Sequence, residues 1–156
     1  MRILVLGAVD PNLMQAKLEP LVACAWVDRV VWVGRVGGPP LLKVVYRPAA
    51  DSGWALVRSL RFLGTALATV WSLRPDLILA YNLVPFGLFA WVCARLTRRP
   101  YALAVIGGPR EVAWKGHAED NRLLAHLPLL SRLVEPLLPA VLRGACFVTT
   151  TGMATR

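Results

Sequence analysis

Apolar residues follow two rhythms along this chain. Short runs rich in valine, isoleucine and leucine, without polar alternation, predict strands over 3–6, 29–34, 43–47, 76–81, 101–106 and 146–150. Unalternating runs of that length suit strands covered on both faces, as in a parallel sheet. Over 54–73, Leu56, Leu60, Leu63, Leu67 and Val70 recur at four- and three-residue steps, which predicts a helix with one apolar stripe. Further helices are expected from Pro11 onward, over 86–97 and over 123–143. Asp10 is placed to cap the first of these and Pro11 to open it, while Pro20 is expected to kink or interrupt it. In the last, Pro128, Pro136 and Pro139 are expected to act as breaks.

Strands and helices therefore alternate, which predicts a single α/β domain of the Rossmann-like kind. The expected sheet is mostly parallel, of about six strands, with helices on both faces and the first strand central. A rival reading comes from the eighteen uncharged residues 77–94, just long enough for a membrane span. Asn82, Pro85 and Gly87 interrupt that run, and Arg58 and Arg61 would burden the hairpin partner at 54–73. The strand reading is preferred.

Composition narrows the class. The chain has 156 residues, 56% apolar and 17% charged, which suits one domain with a sizeable core and excludes a disordered tail or a coiled coil. The 18 basic residues outnumber the 9 acidic ones, giving a net charge of +9. So large a surplus on so few charges favours an anionic partner. Nucleic acid is disfavoured as that partner, because lysines are few and the aromatics sit mostly inside apolar runs. Cys24, Cys93 and Cys146 lie far apart in apolar runs, which argues against a disulfide framework or a metal site and predicts reduced, buried thiols. The apolar start meets Asp10-Pro11 too early for a secretory signal. The expected location is the cytoplasm, at the inner face of the membrane.

No nucleophile elbow, Walker A loop, zinc-protease helix or glycine-rich dinucleotide fingerprint is present, so no cofactor or metal is expected. What remains is the geometry of open α/β sheets, which bind ligands outside the strand C-termini. Three loops fit that place, and they offer Gly7, Asp10, Asn82, Gly107, Gly108, Arg110 and Glu111 as substrate-binding residues. Gly107-Gly108 lets backbone approach a ligand, Arg110 is an anion clamp, and Glu111 is the candidate base. Each has a plainer reading alone: Asp10 as a helix cap, Asn82 as a turn former, Gly107-Gly108 as a tight turn.

The opening MRILVLG, the strand RPDLILA from Arg74, the helix end TRRPY from Thr97, and VIGGPRE from Val105 resemble the N-terminal domain of a family 4 glycosyltransferase. The resemblance spans essentially the whole chain. It implies one half of a GT-B fold, in which this half takes the acceptor and an absent C-terminal domain takes most of the nucleotide-sugar. It further implies metal-independent transfer to a hydroxyl with retention of configuration, the nucleotide-sugar acting as co-substrate. Gly107-Gly108 stand where many members carry a histidine, so that residue does not carry over. The second domain's carboxylate pair is not in this chain, which is therefore expected to be half an enzyme.

The family also docks on membranes to reach lipid-linked acceptors. Trp54, Arg58 and Arg61 lie opposite the leucine stripe with Phe62 and Trp71 on its flanks, which is expected to face an anionic lipid surface. A non-catalytic basic membrane-surface module is accordingly the alternative to the glycosyltransferase half.

Overall fold

Successive side chains of a strand point to opposite faces, and in β1 (Arg2–Leu6) both faces are covered. Ile3 and Val5 enter one core layer and Leu4 and Leu6 the other, all at most 1% exposed. That double burial is why the apolar runs do not alternate. The computed structural model describes residues 1–49, 53–105 and 132–150.

β1 pairs on one side with β2 (Arg29–Gly34), which pairs with β3 (Val44–Pro48). On its other side it pairs with β4 (Leu77–Tyr81), followed by β5 (Tyr101–Val105) and β6 (Phe147–Thr150). The order is β3-β2-β1-β4-β5-β6 in one 6-stranded sheet, parallel throughout, with β1 in the interior. The expected architecture is the one observed.

One face carries α1 (Pro11–Ala23), whose Met14 and Leu18 pack with Ile3, Val5, Val30, Trp32 and Tyr81. The other face carries α2 (Ala55–Leu73), α3 (Leu88–Thr97) and α4 (Leu138–Gly144) over Leu4, Leu6, Val33, Ile78 and Leu103. The uncharged run 77–94 is thus a strand, a π-helical turn (Leu83–Gly87) and the start of α3. Among the described residues, no helix is long and apolar enough to cross a membrane.

The prolines behave differently from expectation. α1 runs through Pro20, which lies in its last turns on the exposed side, where one missing amide is tolerated. Pro136 and Pro139 stand in the first turns of a 3-10 segment (Glu135–Leu137) and of α4, where the lost N–H had no partner to lose. They open elements; Pro128 lies outside the described residues.

α2 is rotated from its expected seating. Phe62, Ala66, Thr69, Val70 and Leu73 are buried, whereas Leu60 is 60% exposed and Leu56 also faces outward. Phe62 joins Phe86 and Phe89, with ring centroids 5.0 and 5.7 Å away, and a phenyl ring buries more area than the leucines it turns outward. Arg47 on β3 holds the same face, donating to the Thr69 and Ser72 hydroxyls at 3.3 and 3.2 Å.

Two glycine substitutions test this packing from opposite directions. A methyl on Gly34 would stand 2.1 Å from the Trp32 indole nitrogen and 2.9 Å from the Gly7 carbonyl oxygen, so Gly34→Ala is expected to lower stability by about 2 kcal/mol. Nothing lies within 4 Å of a methyl on Gly64, midway along α2, and Gly64→Ala is expected to raise stability by up to about 1 kcal/mol. Urea denaturation followed by circular dichroism reads both, and an unimpaired Gly34→Ala chain would remove Trp32 from that position.

Candidate functional site

The two central strands part company at their C-terminal ends. The Gly7 N–H, just past β1, donates to the Val33 carbonyl of β2 at 3.2 Å. The Asn82 N–H, just past β4, donates to the Ala104 carbonyl of β5 at 2.9 Å. Neighbours up to Leu6 and Ala80, the chains then turn to opposite sides and leave a crevice between them. In doubly wound sheets this divergence is where ligands bind. Gly7 stands at its edge, where the core leaves no room for a side chain: a Cβ there would meet Trp32 at 3.0 Å and Tyr81 at 3.4 Å.

Asp10 and Asn82 sit on this rim in different states. The Asp10 carboxylate accepts from the Asn12 and Leu13 N–H groups at 3.0 and 3.1 Å, capping α1. A fixed negative charge on a helix N-terminus takes the place that a phosphate would otherwise occupy. Asn82 adopts φ 73° and ψ 146°, a region sparsely populated by residues with a side chain. Its N–H is held by Ala104 and its carbonyl accepts from Gly87 N–H at 3.0 Å, so the strained geometry is fixed from both sides. No described residue bonds its carboxamide, which is half-buried at the rim. Gly107, Gly108, Arg110 and Glu111 lie outside the described residues.

Pattern reading missed two neighbours. Lys17, on the sheet side of α1, places its ammonium 5.3 Å from the centroid of the Tyr81 ring, a cation–π contact beside the end of β4. Trp32 is buried and its indole N–H has no hydrogen-bond partner among the described residues, a rare state for such a group. The signal for Lys17 was its spacing two turns after the Asp10 cap. For Trp32 there was none, because a tryptophan inside a strand reads as core.

No family model matches the chain, and no curated protein matches its sequence. Among solved structures it is similar to the UDP-GlcNAc 2-epimerase of Methanocaldococcus jannaschii, with a TM-score of 0.59 and 9% identity. The match covers 97% of this chain and 40% of the epimerase chain. The fold is Rossmann-like. At that identity the likeness speaks for the fold, and the chain spans well under half of the neighbour's length.

The outward face of α2 differs from its expected composition. Phe62 was expected among the lipid-facing residues and is instead 6% exposed in the aromatic cluster. Trp54 and Trp71 are 87% and 62% exposed and are joined outward by Leu56, Val57 and Leu60. Arg61 is exposed and Arg58 half-buried. The cysteines also differ from one another: Cys93 is buried, Cys24 half-buried and Cys146 exposed, because Cys146 precedes the outermost strand. Among the described residues no three His, Cys, Asp or Glu side chains stand close enough to hold a metal ion.

Two outcomes follow from the rim. Asn82→Gly is expected to raise stability by about 1 kcal/mol, because glycine adopts the same backbone without strain; an unchanged or lowered melting temperature would mean the carboxamide is held by contacts of its own. Burial pushes the Tyr81 phenol from its ordinary 10.0 up to about 12. In the unfolded chain it ionises near 10, so the stability present below pH 10 is lost as pH rises through about 12. Melting temperature against pH should therefore fall over that window, and less steeply in Tyr81→Phe.

Proposed function

We propose that this chain is the acceptor-binding half of a retaining, metal-independent glycosyltransferase. It would pass a sugar from a nucleotide-sugar to a hydroxyl acceptor, lipid-linked acceptors included. The observation that carries the reading is the crevice between β1 and β4, where a strained Asn82 offers a carboxamide that no described residue bonds while Asp10 already caps α1. A carboxamide both donates to and accepts from a hydroxyl. The capped helix start disfavours phosphate, which suits the side of the cleft away from the diphosphate. A solved nucleotide-sugar enzyme with this fold over 40% of its length supports the substrate class.

In this reading Gly7 keeps the crevice wall free of side chain, Asn82 aims the acceptor hydroxyl, and Lys17 supplies positive potential at the same edge. Arg110 and Glu111 keep their proposed roles as anion clamp and base, and Gly107-Gly108 as the close backbone approach. A facing C-terminal domain would hold the donor and exclude water. Positioning and electrostatics supply most of such a rate enhancement and require both walls.

The purified chain is expected to transfer nothing from a panel of sugar-nucleotides to a lipid acceptor, and to gain activity when a matching nucleotide-sugar-binding half is supplied. In that reconstituted enzyme Asn82→Gly should lower kcat/KM about tenfold or more although it stabilises the fold. Robust transfer by the isolated chain, or epimerisation of UDP-GlcNAc by it, would overturn the proposal.

A second reading, a basic membrane-surface module, is favoured by the outward tryptophans and leucines of α2. It calls for co-sedimentation with anionic vesicles that weakens with salt, since screening sets in over about 8 Å at physiological ionic strength. Arg58→Glu/Arg61→Glu and Trp54→Ser/Trp71→Ser should each reduce it, and binding that both variants leave intact would assign it to another surface.

A further inference from the structure

At the opposite end of the sheet from the crevice, a cleft of about 400 Å³ opens between the last turns of α3, the start of β5 and α4. Its walls include Trp91, Arg95, Arg99, Tyr101, Arg143 and Gly144. The volume is within the range of small-molecule sites. We propose that this cleft is an anion site that takes a phosphate group, either free or as the headgroup of a phospholipid.

Three arginines line the cleft. Arg95 lies against Trp91, its central carbon 5.8 Å from the ring centroid, which keeps one face of the guanidinium dry. Arg143 donates through Nε to the Pro139 carbonyl at 3.2 Å, which fixes its plane and leaves its terminal nitrogens available. Arg99, half-buried, follows the C-terminus of α3. Among the described residues no carboxylate pairs with any of the three.

The helix ends weigh against an anion, and their size decides the matter. α3 and α4 both end at this cleft, each with a partial charge of roughly −0.5. Three lining arginines against two such ends leave roughly +2, which matches a phosphate dianion in magnitude. Tyr101 is a wall and not a donor, because its hydroxyl donates to the Val141 carbonyl. Gly144 is required beside it: a methyl there would stand 2.7 Å from the Tyr101 hydroxyl oxygen.

The site is independent of the crevice, so its failure leaves the glycosyltransferase reading where it stands. The test is calorimetric titration of the full chain with inorganic pyrophosphate, beside co-sedimentation with phosphatidic acid vesicles and with phosphatidylcholine vesicles. Saturable pyrophosphate binding assigns a free phosphate compound; sedimentation with phosphatidic acid alone, unaffected by pyrophosphate, assigns a lipid headgroup. In either case Arg95→Ala, Arg99→Ala and Arg143→Ala should each weaken binding about tenfold, and Arg143→Lys less. Circular dichroism confirms that the variants fold. Absence of binding to every probe, or binding indifferent to Arg95, Arg99 and Arg143, overturns the proposal.

Discussion

Parallel strands stay paired only while their backbones run side by side, and β1 and β4 cease to do so at the same level. Gly7 bonds towards β2 and Asn82 towards β5, and from there each chain must cross to the neighbour it has chosen. Because strand–helix–strand crossovers are right-handed, the leftward step from β1 to β2 puts α1 on one face of the sheet. The rightward step from β4 to β5 puts α3 on the other. One divergence in hydrogen bonding therefore fixes the layering, the two separate cores and the crevice between the parting chains.

The floor of that crevice is set by close approach. Trp32 is large enough to reach under both Gly7 and Gly34, and its indole N–H finds no hydrogen-bond partner there among the described residues. The missing side chains at 7 and 34 are the counterpart of that one large residue, and the crevice wall is backbone as a result. Above it, Asp10 and Asn82 divide the polar work. The carboxylate is committed to α1, and the carboxamide is held out on a strained backbone by bonds at both its N–H and its carbonyl. In the proposed reading, a wall of this kind would receive neutral hydroxyl groups better than phosphate.

The sheet was legible because double burial leaves an unmistakable trace: β2 agrees with its expected bounds residue for residue, β1 and β4 differ by a residue at one end, and β5 agrees over its described residues. Helix faces were less so. Along α2 the leucines and the Phe62–Ala66–Thr69–Leu73 row make two adjacent stripes, and periodicity alone does not say which of them meets the sheet. Partners distant in sequence decide it, namely Phe86, Phe89 and Arg47. Prolines misled for a related reason: Pro136 and Pro139 lack an amide only where a helix begins, and a breaker and an opener look alike in sequence. Of the rim, Gly7 and Asp10 were legible from strand-end and capping chemistry. The strain at Asn82 was not, since it arises from bonds to Ala104 and Gly87 that only the fold brings together.

The net charge of +9 changes meaning once its members are placed. In a doubly wound sheet the helix C-termini gather at the end away from the ligand crevice, and each carries a partial negative charge. Arg74 and Arg98 are the C-caps of α2 and α3, and Arg95 and Arg143 lie in the last turns of α3 and α4. Four arginines thus answer helix ends, a role the fold would ask for with no partner at all. The helix ends are worth only about half a charge each, so neutralising three of them calls for fewer than two cations. Arg95, Arg99 and Arg143 line the cleft that α3 and α4 leave at that end, while Arg35 follows β2 and Arg47 lies near the end of β3 on the crevice side. The arginines that answer helix ends are therefore no guide to what the crevice binds.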